Sequence, residues 1–206
     1  MAFISSAFTA GQTLTAASME DLRGNANAGH SVFTTEAARD AAITAPTEGM
    51  MAYLTAPTVP AATGASGTAL PTGVQTIYNG SVWVCVTEIG ANATAASQSL
   101  TTSYADLAVS ATNTSVTLVT GTSALVMMSA RATLASNFCT LNVKTGTVSA
   151  AAHGASTPGT TGYGVAAKTF VMTGLTAGTN TFTLIGTANV NGGSFDQHSL
   201  AVKGIA

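Results

Sequence analysis

From about residue 95 onward the chain is a succession of short runs in which apolar and hydroxyl-bearing residues alternate, most of them closed by glycine or another turn former. The runs are "YADLAV", "SVTLVT", "ALVMMSARATL", "FCTLNVKTGTV", "KTFVMTG", "NTFTLIGTANV" and "SFDQHSLAVKGI". Alternation with period two puts successive side chains on opposite faces of an extended strand, and it cannot serve the stripe that a helix needs. Seven such runs in some 110 residues, with no helical period, predict an antiparallel β-sandwich or barrel. Cys139, Leu141 and Val143 are expected to face inward, with Thr140, Asn142 and Lys144 outward. Phe182 and Leu184 alternate with Thr181, Thr183 and Ile185, so that strand is expected to be apolar on both faces in part. Threonine suits the outer faces, because its branched side chain fits the pleat while its hydroxyl stays wet.

Upstream the pattern changes. "TEAARDAAITAPTEGMMAYL" spans residues 34–53. Thr35 can cap a short helix over "EAARDAAI", with Glu36 in the favourable first turn. Pro46 pushes Ala45 out of the helical region and ends it. "MMAYL" reads as a strand, and residues 55–73, with Pro57, Pro60 and Pro71, as a long loop of polyproline character. "VQTIY" and "SVWVCV" flank Asn79-Gly80, a hairpin signal of type I′, with Trp83 and Cys85 on one face of the second strand and Val82, Val84 and Val86 on the other. Residues 31–90 therefore read as a helical turn with a small β-hairpin collar, and 91–206 as the sandwich.

Residues 1–30 read as a short helical arm. Thr15 is a candidate cap, Ala16, Met19 and Leu22 form an apolar stripe, and Gly24 can close the helix. Two turns are too few to be stable alone in water. Phe3, Ile4 and Phe8 precede them with no evident core of their own. The arm either becomes ordered by lying on another component or packs back on its own domain.

Charge is the unusual quantity. Asp, Glu, Lys and Arg make up 7% of the 206 residues, against roughly 25% in an ordinary soluble domain. Hydrophobic residues make up 46%, so the chain is not of the disordered type. A net charge of −2 gives little colloidal repulsion. The surface must be wetted by Thr and Ser hydroxyls, covered by other subunits, or both, and an obligate assembly is expected. Half of the charged residues fall within the first 50 positions, which again separates the N-terminal segments from the rest. The six Lys and Arg are scattered, so no nucleic-acid partner is expected. No apolar run is long enough for a membrane span, and "MAFISSAFTAGQ" lacks the basic start and apolar core of a secretory leader.

Catalytic chemistry is not evident. His30, His153 and His198 are isolated, read as surface or loop residues, and form no metal-type cluster. Cys85 and Cys139 each sit in an apolar run and read as small buried hydrophobes, a single disulfide being the lesser reading. Glu48 and Glu88 could pair as acid and base, but one Trp and four Tyr make a sugar cleft improbable. "GYGVAAK" at 162–168 matches a dinucleotide fingerprint, yet it runs into a strand rather than a helix and is rejected. No catalytic, cofactor-binding or metal site is expected.

"RDAAITAPTEGMMAYL", followed after the loop by "TIYNGSVWVCV", resembles a module of tailed-bacteriophage virion proteins. In that module a short helix precedes P-x-x-G-M, a strand, and a hairpin ending in Tyr-x-Gly-x-x-Trp. The matching positions are Arg39, Asp40, Pro46, Gly49, Met50, Tyr78, Gly80 and Trp83. "FTAGQTLTAASMEDLRGN" is similar to the start of many phage structural proteins. "SALVMMSARA" and "LTAGTNTFTLIGTANVNGGSFDQHSLAVKGI" resemble strands of the jelly-roll heads of phage fibres and decoration spikes. The resemblance implies a non-enzymatic, homotrimeric spike on the exterior of the virion, attached to the major capsid or tail protein. A tail-fibre head that binds a host surface receptor is the alternative. Phe3, Ile4, Phe8, Met19, Leu22, Arg39, Asp40, Glu48 and Trp83 are the candidate docking or interface residues. For Arg39, Asp40 and Glu48 the plain reading is a solvated helical turn, and the sharper one is intersubunit or docking ion pairs.

Overall fold

Strands form where the alternating runs lie. The structure, a computed structural model, describes residues 31–93, 98–109, 112–134, 138–146, 148–149, 154–157, 162–189 and 192–206. In chain order, β1 (Ser31–Phe33) and α1 (Glu36–Ala42) precede β2 (Met51–Leu54), β3 (Ala61–Thr63), β4 (Gly67–Ala69), β5 (Val74–Tyr78), β6 (Trp83–Cys85) and β7 (Ile89–Ala93). Four two-residue pieces follow: β8 (Gln98–Ser99), β9 (Ala105–Asp106), β10 (Ala108–Val109) and β11 (Thr112–Asn113). The remainder is β12 (Ser115–Thr120), β13 (Ser123–Leu134), β14 (Cys139–Thr145), β15 (Val148–Ser149), β16 (Ala155–Ser156), β17 (Gly162–Thr173), β18 (Gly178–Ala188) and β19 (Ser194–Ile205). The expected arm at 1–30 lies outside the described residues.

Two large sheets carry the sandwich-like part of this mainly β fold. One runs β15-β14-β18-β12-β3, with β16 added to β14 and β9 to β18. The other runs β17-β13-β19-β7-β4, with β8 added to β19. Phe182, Leu184, Leu118 and Leu141 of the first belong to the same apolar core as Val126, Phe195, Leu200 and Ile89 of the second. A third sheet, β1-β2-β5-β6, is the collar; β1 lies parallel to β2 and the other pairs are antiparallel. Leu54, Val74 and Cys85 of the collar join the sandwich core, so collar and sandwich share one interior. Their seam is close. A Cβ on Gly204 of β19 would come within 2.6 Å of Cys85 O and of Val84 Cγ1, so only glycine lets the two backbones meet there.

Several local expectations are corrected. The Asn79-Gly80 hairpin exists, but Tyr78 pairs with Trp83, so the loop has four residues rather than two. Asn79 Oδ1 accepts from the backbone N–H of Ser81 (3.1 Å) and Val82 (3.0 Å), and this side-chain bonding, with Gly80 at φ +88°, replaces the type I′ turn. Residues 55–73 are not simply a loop. Their β3 pairs with β12 at the edge of one large sheet and their β4 with β7 at the edge of the other, so this segment spans one side of the sandwich. With β7, which starts at Ile89, the segment 31–90 thus contributes strands to both large sheets and does not stop at the collar. "GYGVAAK" is strand throughout, the first half of β17. The helix ends at Ala42, before Pro46 acts.

Burial alternates in β12 and, apart from Asn142, in β14, whereas β18 is buried on both faces over its middle, and His198 is a further departure. Cys139, Leu141 and Val143 are buried, as are Phe182, Thr183, Leu184 and Ile185. Asn142, expected outside, is fully buried, and its Oδ1 accepts from the N–H of Val143 while its Nδ2 has no partner. His198, expected on the surface or in a loop, is 3% exposed on the inward face of β19. A single histidine in "FDQHSL" carries no mark of which parity of the strand is inside until the register is known.

Candidate interaction surfaces

The charged knot of the N-terminal region folds around one aromatic ring. Thr35 Oγ1 accepts from Ala38 N–H at 3.3 Å and starts α1, and Arg39, the buried residue of that helix, reaches across to β6. Its guanidinium carbon lies 4.6 Å from the centre of the Trp83 ring, and Trp83 tilts against Tyr78 with centroids 5.4 Å apart. Arg39 Nε and Nη2 both donate to Asp40 Oδ1, at 2.9 and 2.8 Å. A guanidinium is planar and weakly hydrated, so it can be buried on an indole face where an ammonium could not. The structure therefore brings Arg39, Asp40 and Trp83 together within one chain. Arg39 and Trp83 are buried against each other, whereas Asp40 and Glu48 are exposed, Glu48 beside Gly80 at the hairpin turn. Phe3, Ile4, Phe8, Met19 and Leu22 lie outside the described residues.

Glu36, one turn before Arg39, does more than favour the helix start. Its carboxylate accepts from the backbone N–H groups of Thr58 and Val59 and from the Thr58 hydroxyl, at 2.9 to 3.1 Å. Burial works to raise its pKa, but these hydrogen bonds outweigh it and hold the carboxyl below its ordinary range. Glu36 thereby ties α1 to the segment that leads into β3.

Among the described residues the outer face of the six-stranded sheet carries several exposed apolar side chains. β17 pairs with β13 in unbroken register, Tyr163 opposite Thr133 through Thr173 opposite Ser123. Tyr163 is 74% exposed, Val165 66% and Val171 45%, and Ile205 of β19 adds to the same face. Arg131 of β13 sits beneath Tyr163, 5.1 Å from its ring centre, and its Nε donates to both carboxylate oxygens of Asp196 at 2.8 and 3.0 Å. The β13–β19 register shifts between Arg131 and Ala132. That bulge turns Asp196 and Gln197 together toward Arg131, where strict alternation would have sent one of them inward. The hydrogen bond to Arg131 holds the Asp196 carboxyl below its usual range and raises the guanidinium in turn. Beside this cluster a shallow trough of about 530 Å³ crosses the sheet, floored by small residues such as Ala69, Gly90, Ser129, Ala167 and Ala201. Ser129 and Ser199 bond to each other across it at 2.8 Å. Neither a histidine nor a cysteine lines it.

Among the described residues the histidine and both thiols are enclosed. Burial pushes the thiols of Cys85 and Cys139 up, and both are unpaired. His198 is held neutral, its pKa lowered by burial to about 4, with neither ring nitrogen bonded. His30 and His153 lie outside the described residues. Among the described residues no three His, Cys, Asp or Glu side chains gather to hold a metal, and no helix is long and apolar enough to cross a membrane. Sequence reading missed Arg131, Asp196 and Tyr163 as a cluster. They lie 32 or more positions apart along the chain, and only sheet order makes them neighbours. No family model matches this chain, and no curated protein matches it significantly.

Proposed function

We propose that this chain is a non-enzymatic structural subunit of a tailed-phage particle, a trimeric decoration or spike protein on the virion exterior. In this reading the sandwich is a jelly roll that projects outward, residues 31–90 form the collar, and residues 1–30 anchor the subunit to the major capsid or tail protein. The observation that carries it is the match between charge poverty and surface. A chain with 7% charged residues leaves uncharged, partly apolar sheet faces open, and such faces suit a subunit that is covered in use. Among the described residues the histidine and both thiols are enclosed, which is in keeping with a role in contact.

The test is co-sedimentation of the purified protein with phage heads and, separately, with tails. The full chain should co-sediment with one of them in a fixed copy number, and deletion of 1–30 should abolish this. Failure of the full chain to bind either particle overturns the proposal. Binding of the truncated chain to host cells would instead favour a receptor-binding fibre head. Hydrolysis of cell-wall polymer by the pure protein would make it an enzyme.

A further inference from the structure

We propose that the outer face of the six-stranded sheet, from the open edge of β17 across to β19, is the contact surface between copies of this chain. Exposed apolar side chains scattered singly are normal on a monomer, but a contiguous patch marks an interaction site. Here Tyr163, Val165 and Val171 line the outward side of one strand, with Ile205 on the same face two strands away.

The edge itself points the same way. β17 is twelve residues long, contains no proline, and among the described strands pairs on one side only. Edges are usually blunted by charge, by proline or by brevity. The one charged residue of β17, Lys168, has its ammonium 6.0 Å from the centre of the Phe170 ring rather than among the outward side chains. A second copy is the occupant that fits. Arg131 is already neutralised by Asp196, and the face also carries the exposed Lys203 on β19 and the exposed Glu88 at the trough, two charges of opposite sign that can oppose each other when two copies meet. The ridge of Tyr163 and Val165 lies beside the small-residue trough, so one face offers both the projection and the hollow that receives it. The size is adequate too. Twelve residues at about 3.3 Å and three strands about 4.8 Å apart give roughly 600 Å² per copy, or roughly 1,200 Å² per pair, the lower bound of stable interfaces.

This inference rests on the assembly part of the proposed function and is independent of which particle, if any, is bound. Light scattering of the eluting protein at micromolar concentration should give a multimer of defined mass. Val165→Glu together with Val171→Glu should reduce it to one chain of 20.3 kDa with an unchanged β circular-dichroism spectrum. Val32→Glu, on the exposed edge of the collar, should leave the multimer intact. Hydrogen exchange on the wild-type protein covers the case in which the double variant misfolds: the edge amides of β17 should be as protected as those bonded to β13. A single-chain wild type overturns both this surface and the assembly reading. A multimer whose mass survives the double substitution, or whose β17 edge amides exchange freely, overturns the surface alone.

Discussion

Collar and sandwich hold together by different means, although they share a core. The collar strands have three to five residues each, and so small a sheet buries little apolar surface. It compensates by turning charge inward: Glu36 binds the backbone ahead of β3, and Arg39 fills the space over Trp83. The sandwich has strands of eleven and twelve residues and a continuous interior of Leu, Val and Phe. It can afford to place its own arginine–aspartate–aromatic cluster outside, as Arg131, Asp196 and Tyr163. An arginine set against an aromatic ring is therefore a buried fastener in one region, Arg39 on Trp83, and part of an open sheet face in the other, Arg131 on Tyr163. Burial, not residue type, decides which.

The largest effect should come from the sandwich interior. Phe182 is fully buried, and Phe182→Ala should cost about 3–5 kcal/mol through lost transfer energy and the cavity left behind. Urea unfolding would measure it. If this change costs no more than substitutions in the collar, the sandwich is not the dominant source of stability and the contrast fails.

Next in size is an acid-side loss caused by the polar residue that the apolar interior encloses. His198 sits between Ala130 and Ala93 in the ladder, with its pKa lowered from 6.5 to about 4. Above pH 6.5 the ring is neutral in the folded and unfolded chains alike and has no linkage effect. As pH falls toward 4, the unfolded chain takes up a proton that the folded chain refuses. Stability should therefore drop by up to about 3 kcal/mol across this window and then level off. His198→Leu isolates the contribution, because carboxylates titrating nearby in pH remain in both proteins. Equal pH dependence in the two proteins would show that the imidazole is solvated or bonded.

Arg39 and Arg131 give the direct contrast. Arg39→Ala removes packing and cation–π contact from a buried ring and should cost about 1–3 kcal/mol. Arg131→Ala should cost a single chain less, because the guanidinium itself is 41% exposed, although the Asp196 carboxylate it pairs with is only 15% exposed. Comparable losses at the two positions would erase the distinction between fastener and surface cluster.

Much of this was legible along the chain, for a local reason. The limits of "SVTLVT", "VQTIY" and "SFDQHSLAVKGI" coincide with β12, β5 and β19, because alternation and turn residues are recorded within each run. Thr35 was readable as a cap because its bond spans three residues. Pairing across the chain was not readable. β3 and β4 are three residues each in a proline-rich stretch, and only the edges of β12 and β7 make them strands. Glu36 looked complete as a first-turn acid, and nothing near it announced Thr58 and Val59 as donors 22 and 23 positions away. The Asp196 bulge is hidden for the same reason, since a register shift exists only relative to β13.

Glu36 also supplies the finest test of the contrast. If the collar depends on inward charge, an isosteric neutral side chain should weaken it even though shape and one acceptor oxygen are kept. Glu36→Gln should cost about 1 kcal/mol at neutral pH, the scale of charge-assisted hydrogen bonds made neutral. The sign of its pH dependence follows from the lowered folded pKa. The stability that Glu36 contributes is fully present above the ordinary glutamate range and is lost as pH falls through the lowered folded value. Wild type and Glu36→Gln should thus differ at pH 7 and converge in acid. A constant difference at all pH values would mean that the glutamine loses packing rather than charge, and that the collar is held, like the sandwich, by shape alone.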